Sequence, residues 1–99
     1  ADKALVAILR ESNDSLSLLS AWSLLQIHGA NQRSAEILLP ELVMGLTLPL
    51  PQSRQLAAEA LEQLGPLAKS ATKNLQQASN DSNEQVRAAA TKALTSVGK

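Results

Sequence analysis

The sequence predicts an all-α fold, a right-handed α-solenoid of about three helix-pair repeats. The apolar part of the 99-residue chain is mostly leucine and alanine, with one tryptophan and no phenylalanine or tyrosine, and such a composition favours helix. A hydrophobic pattern of helical period also recurs along the chain at intervals of 33 and 37 residues. Helix pairs repeated at such intervals bury their apolar faces by stacking on one another.

The clearest copy of the pattern is VRAAATKALTSVG at residues 86–98. Its apolar residues fall at offsets 0, 3, 4, 7, 8 and 11, which places them on one stripe of a helix. Ser82 followed by Gln85 predicts the start of this helix, and Gly98 predicts its end in a left-handed residue. We therefore expect a helix of about three turns with one buried face.

Two earlier stretches repeat the pattern, SRQLAAEALEQLG at 53–65 and LSLLSAWSLLQIH at 16–28. Small residues keep two fixed rows in the three copies, namely Ser20, Ala57 and Ala90, and Ser23, Ala60 and Ala93. Small side chains in fixed rows let a neighbouring helix come close. The copies divide a single domain into repeats at 1–28, 29–65 and 66–98, which we expect to be a fragment of a longer array.

A first helix (A) precedes each of these second helices (B). It is predicted at 66–79, opened by Pro66, and at about 35–42 in the middle repeat, where Pro40 predicts a kink or a break. Only its rear, at about 1–9, is present in the first repeat. The longer turn at 46–52 contains three leucines, and we expect Leu48 or Leu50 to pack against the helix ends.

The pattern resembles the HEAT-repeat family, in particular its short bacterial form and the repeats of phycobilisome-lyase type. The matching positions are Gly65, Pro66, Ala68, Ala71, Leu75, Asp81, Val86, Arg87, Ala89, Ala90, Ala93, Leu94, Val97 and Gly98. The resemblance implies that a turn aspartate and helix B arginines join neighbouring repeats, here as a fragmentary ladder of Asp81, Arg54 and Arg87. It also implies that helix B lines the concave side and that the protein is a scaffold for other macromolecules.

Several kinds of chemistry have no support in the sequence. Nine basic and nine acidic residues balance, whereas a phosphate-binding protein carries a basic excess. The chain has no cysteine, no nucleophile-elbow or phosphate-loop motif, and no apolar run of membrane-spanning length. His28 is the single histidine, and we expect it just past helix B of repeat one, where a cation suits the helix dipole and histidine tolerates a positive φ. We expect no catalysis, no metal and no cofactor.

The sequence therefore predicts a protein-interaction module whose contacts lie on the outward positions of helix B. In repeats two and three we expect contacts from Gln55, Glu59, Glu62 and Lys92. In repeat one the same offsets hold three large apolar residues, Leu18, Trp22 and Leu25, which we expect to be exposed in the isolated chain. A preceding repeat, a second copy of the chain or another partner would cover them, with Trp22 as the anchor in the last case.

Two alternative functions remain at this stage. Five cations could form a weak basic face for nucleic acid: Arg54, Lys69, Lys73, Arg87 and Lys92. Phosphate contacts usually need more cations and stacking aromatic residues than this chain supplies. The second alternative, an accessory subunit of an enzyme such as a bilin lyase, rests on the resemblance alone.

Overall fold

The computed structural model describes residues 18–98, and within this range the chain folds entirely as helices and turns. Helix α1 is described over 18–28 and is followed by α2 at Gln32–Gly45 and α3 at Pro51–Leu64. A 3₁₀ helix at Gly65–Ala71 leads into α4 at Thr72–Ala78, and α5 spans Glu84–Val97. The all-α prediction is confirmed.

The helices stack as a repeat solenoid. Helix α3 packs on the helix before it, α2, and lies beside the second helix of the next repeat, α5. The 3₁₀ segment and α4 together form the A helix that packs against α5. The architecture is the predicted HEAT-like solenoid, while the right-handed superhelix and the repeat boundaries stay predictions.

Side-chain caps fix the start of two helices. The Asn31 side chain accepts a hydrogen bond from the Ser34 amide at 2.9 Å and caps α2. At α5 the cap is Asn83, whose side chain accepts from the amides of Gln85 and Val86. The cap therefore lies one residue after Ser82, the predicted position, because an asparagine amide oxygen satisfies the free helix donors as well as a hydroxyl does.

Pro40 neither breaks nor ends α2, which runs without interruption to Gly45. A proline removes the hydrogen bond to the carbonyl four residues earlier, here that of Glu36. Both Pro40 and Glu36 are exposed, so this carbonyl is on the solvent side of the helix. Burial of Leu38 and Leu42 on the opposite side holds the helix together across the proline.

The A helix of repeat three is divided, whereas the sequence predicts one continuous helix at 66–79. Its first half is the 3₁₀ segment, in which Ala68 has φ −97° and ψ 22°. A 3₁₀ helix aligns residues three positions apart. Gly65, Ala68 and Ala71 have this spacing and are all buried, so the tighter helix turns all three toward the core.

The long turn between α2 and α3 packs against the fold. Leu46 and Leu48 are buried in the core cluster, while Leu50 is exposed. The prediction that Leu48 or Leu50 packs inward is therefore confirmed by Leu48. The guanidinium of Arg54 donates to the carbonyls of Leu48 and Pro49, both at 2.8 Å, and fixes the turn from the other side.

Helix α1 is rotated relative to the sequence prediction. Leu18 and Leu25 are each only 1% exposed and belong to the core, and Trp22 is half-buried against it. By contrast, the residues predicted to lie inside, Leu19, Leu24 and Ile27, are 48%, 44% and 73% exposed. The prediction that Leu18, Trp22 and Leu25 form an exposed patch is therefore wrong.

The cause is an alignment error of one residue. Gly29 and Gly65 have positive φ, 77° and 56°, and they close α1 and α3 in the same way. The alignment of 16–28 with 53–65 places His28 opposite Gly65 and predicts a left-handed residue at His28. One residue along a helix corresponds to a rotation of about 100°, which moves an outward row to the core. Gly98, also predicted to be left-handed, has φ −74°.

Candidate functional site

A shallow groove runs between α3 and α5 on the side of the B helices. Its volume is about 170 Å³. It is lined by Gln55, Glu59, Glu62, Gln85, Ala88, Ala89 and Lys92. We call it the B-helix groove. Four residues predicted as contacts, Gln55, Glu59, Glu62 and Lys92, are thus brought together in one place.

Helical spacing explains how two separate helices form this groove. On α3 the residues Gln55, Glu59 and Glu62 are four and then three positions apart, so they share one face. On α5 the residues Gln85, Ala88 and Lys92 are three and then four positions apart, so they also share one face. The opposite faces of both helices are buried, as Ala57, Leu61, Ala90 and Val97 show. The core therefore fixes which side chains line the groove.

The groove is polar and unevenly charged. Glu59 and Glu62 are half-buried on one wall, and the Gln55 amide donates to the Glu59 carboxylate at 3.2 Å. Lys92 is exposed on the facing wall. Within residues 18–98 the single ion pair is that of Arg54 with Asp81, so Lys92 is not paired with either glutamate. Both carboxylates are thus open to donors from another molecule.

The polar surface continues from the groove toward α1. The Gln26 amide donates to the side-chain oxygen of Gln63 at 2.7 Å and joins the exposed faces of α1 and α3. With Gly29 aligned to Gly65, the α1 residues that correspond to Gln55, Glu59 and Glu62 are Leu19, Ser23 and Gln26. These residues, rather than Leu18, Trp22 and Leu25, carry the outward face of repeat one.

Three residues that line the groove are not among the predicted contacts, namely Gln85, Ala88 and Ala89. Ala88 occupies an outward offset of the repeat pattern, and Ala89 occupies an inward one. Gln85 precedes the pattern, and the sequence predicts it at the start of the helix together with Ser82. Its spacing of seven residues from Lys92 places both on one helical face and could have identified it.

An ion pair joins the second and third repeats beside the groove. Arg54 donates from Nε to Asp81 Oδ2 at 2.8 Å and from Nη2 to Oδ1 at 3.1 Å, and both side chains are largely buried. Asp81 Oδ1 also accepts from the Asn83 amide at 2.8 Å. The link between neighbouring repeats that the resemblance implies is present at this junction.

The environment of Asp81 stabilises its charged form. The hydrogen bonds from Arg54 lower the pKa of Asp81, burial opposes them, and the Asn83 amide adds to the lowering. A carboxylate whose pKa is lower in the folded state stabilises that state above the pKa of the unfolded chain. Its contribution is lost as the pH falls through the folded-state value.

We expect an Asp81→Asn substitution to destabilise the protein in a pH-dependent way. At about pH 7 the variant should lose about 1 kcal/mol of unfolding free energy, the upper end for partly exposed ion pairs. The loss should shrink as the pH falls below about 4, the ordinary pKa of an aspartate in the unfolded chain, and should vanish below the lowered pKa of Asp81 in the folded protein. Urea unfolding at a series of pH values, followed by circular dichroism, measures this difference.

Glu36→Gln is the matched control for this experiment. Glu36 is an exposed carboxylate with no ion pair, so its substitution should change stability little at any pH. If the Asp81→Asn difference stayed constant down to about pH 2, the charge of Asp81 would not be the stabilising feature.

The five cations of the predicted basic face do not form one basic surface. Arg54 is engaged by Asp81, and Arg87 donates to the carbonyls of Asp81 and Ser82 at 2.8 and 3.1 Å. Lys92 lies in the B-helix groove with two glutamates. The remaining two, Lys69 and Lys73, lie on the A helix of repeat three. The arrangement offers no continuous basic track.

Other kinds of site are missing from the same part of the chain. Across residues 18–98, no three histidine or acidic side chains lie close enough to hold a metal ion. None of the helices in that range has the length and apolar character needed to cross a membrane.

Paired helices, rows of small buried residues between them and a polar outward groove are typical of an α-helical repeat protein. The sequence model of the HEAT repeat matches residues 72–99, which contain α4 and α5. This match confirms the resemblance to the HEAT-repeat family over residues 72–99. Assignment of the chain to the short bacterial form stays a prediction. No curated protein and no solved structure matched the chain.

Proposed function

We propose that this protein is a non-catalytic interaction module that binds another protein in its B-helix groove. HEAT repeats generally mediate protein–protein interaction, and a HEAT repeat occupies the end of this chain. The observation that carries the proposal is the convergence of Gln55, Glu59, Glu62, Gln85 and Lys92 on one groove between two helices.

The chemistry of the groove suits a polypeptide. Two amides and two half-buried carboxylates offer hydrogen-bond acceptors and donors at close spacing, and Ala88 and Ala89 leave room for a main chain to approach. One lysine on the facing wall provides a charge for an acidic group of the partner. Neither a phosphate track nor a deep apolar pocket is part of this surface.

Site-specific photo-crosslinking tests the proposal. A photo-reactive amino acid is placed at position 59 or 92 in the groove, and at position 73 on the A helix as the control. In extracts of the source cells, the groove positions should give a discrete crosslinked protein that position 73 does not give. Glu62→Lys in the same chain should weaken that crosslink.

Two results would contradict the proposal. One is equal crosslinking at positions 59, 92 and 73, which would show that the groove is not selective. The other is a crosslink to nucleic acid that weakens steeply with salt, which would favour the nucleic-acid alternative.

A further inference from the structure

Helices α3 and α5, which form the walls of the B-helix groove, run in the same direction. Arg54 near the start of α3 pairs with Asp81, which lies just before α5. Ser96 near the end of α5 donates to the Glu62 carbonyl near the end of α3 at 2.8 Å. The groove therefore has two different ends, one where both helices begin and one where both helices end.

The groove offers amides toward the first of these ends and charges toward the second. Gln55 and Gln85 lie nearer the helix starts, whereas Glu59, Glu62 and Lys92 follow them along the two helices. At a rise of about 1.5 Å per helical residue, Gln55 and Glu62 are about 10 Å apart along the axis, which is the length of about three residues of an extended chain. The groove thus has room for a short extended segment.

The two glutamates of the groove are only partly satisfied by their own chain. Glu59 accepts one hydrogen bond, from the Gln55 amide at 3.2 Å. The Glu62 carboxylate has neither a hydrogen-bond nor an ion-pair partner among residues 18–98. Both side chains are half-buried, so they have given up part of their hydration. A cation held between them would replace that hydration with charge-assisted hydrogen bonds.

Lys92 does not neutralise these carboxylates. It lies on the facing wall, is exposed, and forms no ion pair with the part of the chain that the structure describes. An exposed ammonium keeps its hydration and gains little from an added anion. With two half-buried carboxylates against one solvated cation, the groove favours a cationic side chain of the partner over an acidic one.

We propose that the B-helix groove binds an extended segment of its partner that places an arginine side chain between Glu59 and Glu62. This inference rests on the proposed function of the groove. The two glutamates are three positions apart on α3, with Cβ atoms about 5–6 Å apart. The planar guanidinium of arginine has five N–H donors and can reach both carboxylates at once, whereas the ammonium of lysine is a point charge. The Gln55 and Gln85 amides then meet the main chain of the neighbouring partner residues.

Titration of blocked pentapeptides into the ¹⁵N-labelled, full 99-residue chain tests this proposal by NMR. Three peptides place arginine, citrulline or glutamate at the centre of four alanines, and citrulline has nearly the shape of arginine without its charge. The arginine peptide should shift the amide resonances of the groove with a Kd of about 1 mM. The other two should bind at least about ten-fold more weakly, because they form no ion pair with the glutamates.

Variants of the groove locate the arginine. Glu62→Gln keeps the size of the side chain and removes its charge, so it should weaken binding of the arginine peptide at least about five-fold. Glu59→Gln should act in the same direction and serves as the second variant if Glu62→Gln loses helical circular dichroism. Lys92→Gln removes a repelling cation and should strengthen binding. Glu36→Gln on α2 is the matched control, since it is exposed outside the groove and should bind like the wild type.

An arginine peptide that shifts no resonance of the groove up to about 10 mM overturns the proposal. Binding that neither Glu59→Gln nor Glu62→Gln weakens overturns it too. A citrulline or glutamate peptide that binds in the groove as tightly as the arginine peptide also overturns it, but leaves the proposed function intact, because the groove would still bind a polypeptide. Failure of the proposed function itself is recognised separately, by equal crosslinking at positions 59, 92 and 73.

Discussion

Leu61→Ala should lower the free energy of unfolding by about 2–5 kcal/mol. Leu61 lies in α3, has no exposed surface, and is among the largest fully buried side chains. Helix α3 packs against α2 on one side and α5 on the other, so both neighbours hold the walls of the cavity apart. The cost therefore includes the lost apolar burial and a cavity that cannot collapse.

Chemical denaturation followed by far-ultraviolet circular dichroism measures this loss. Leu50→Ala is the control, because the same chemical change is made at a side chain that is 48% exposed. It should change stability by less than about 1 kcal/mol. Equal losses in the two variants would mean that α3 is not the centre of the core.

Ala93→Leu should destabilise the protein by about 1–3 kcal/mol. Ala93 is fully buried in α5, which lies directly beside α3. Three additional carbon atoms have no space there, so either the helices separate or the leucine adopts a strained rotamer. Alanine and leucine have similar helix propensities, so the effect reports packing rather than helix formation.

Ala88→Leu in the same helix is the control, because it makes the same chemical change at an exposed position. Ala88 is exposed at the groove, and a leucine there should leave the melting temperature nearly unchanged. Differential scanning calorimetry compares the two variants directly. If the Ala93→Leu variant had the same melting temperature as the wild type, the contact between α3 and α5 would be loosely packed.

The helical faces of repeats two and three could be predicted from the sequence because each has a clear polar side. Gln55, Glu59 and Glu62 alternate with Ala57, Ala60 and Leu61, so only one rotation of α3 buries the apolar residues. The groove followed from the same argument, since fixing the core of two adjacent helices also fixes what faces outward.

The rotation of α1 could not be predicted in this way. Residues 16–27 contain leucine or isoleucine on nearly every side of the helix, so the apolar pattern fits more than one rotation. The information that resolves it lies outside the helix, in Gly29, which has the positive φ of Gly65. A rule that aligns the glycines first pairs Leu25 with Leu61 and would have placed Leu25 in the core.

The irregular parts of the backbone also could not be predicted from the hydrophobic pattern. Pro40 is an unfavourable residue within a helix, but its position on the exposed side makes it tolerable, and exposure is a tertiary property. The 3₁₀ segment likewise depends on Gly65, Ala68 and Ala71 all being turned inward. These features depend on how helices pack rather than on local propensity.

The bonds of Arg54 have a mechanical consequence. One rigid, planar guanidinium holds the carbonyls of Leu48 and Pro49 and, from its other nitrogens, the carboxylate of Asp81 in the next repeat. It therefore holds α3 at a fixed distance from the turn that precedes α5. Between α1 and α3, the polar tie within residues 18–98 is the exposed amide pair of Gln26 and Gln63. We therefore expect the link of Arg54 with Asp81 to resist bending between the second and third repeats.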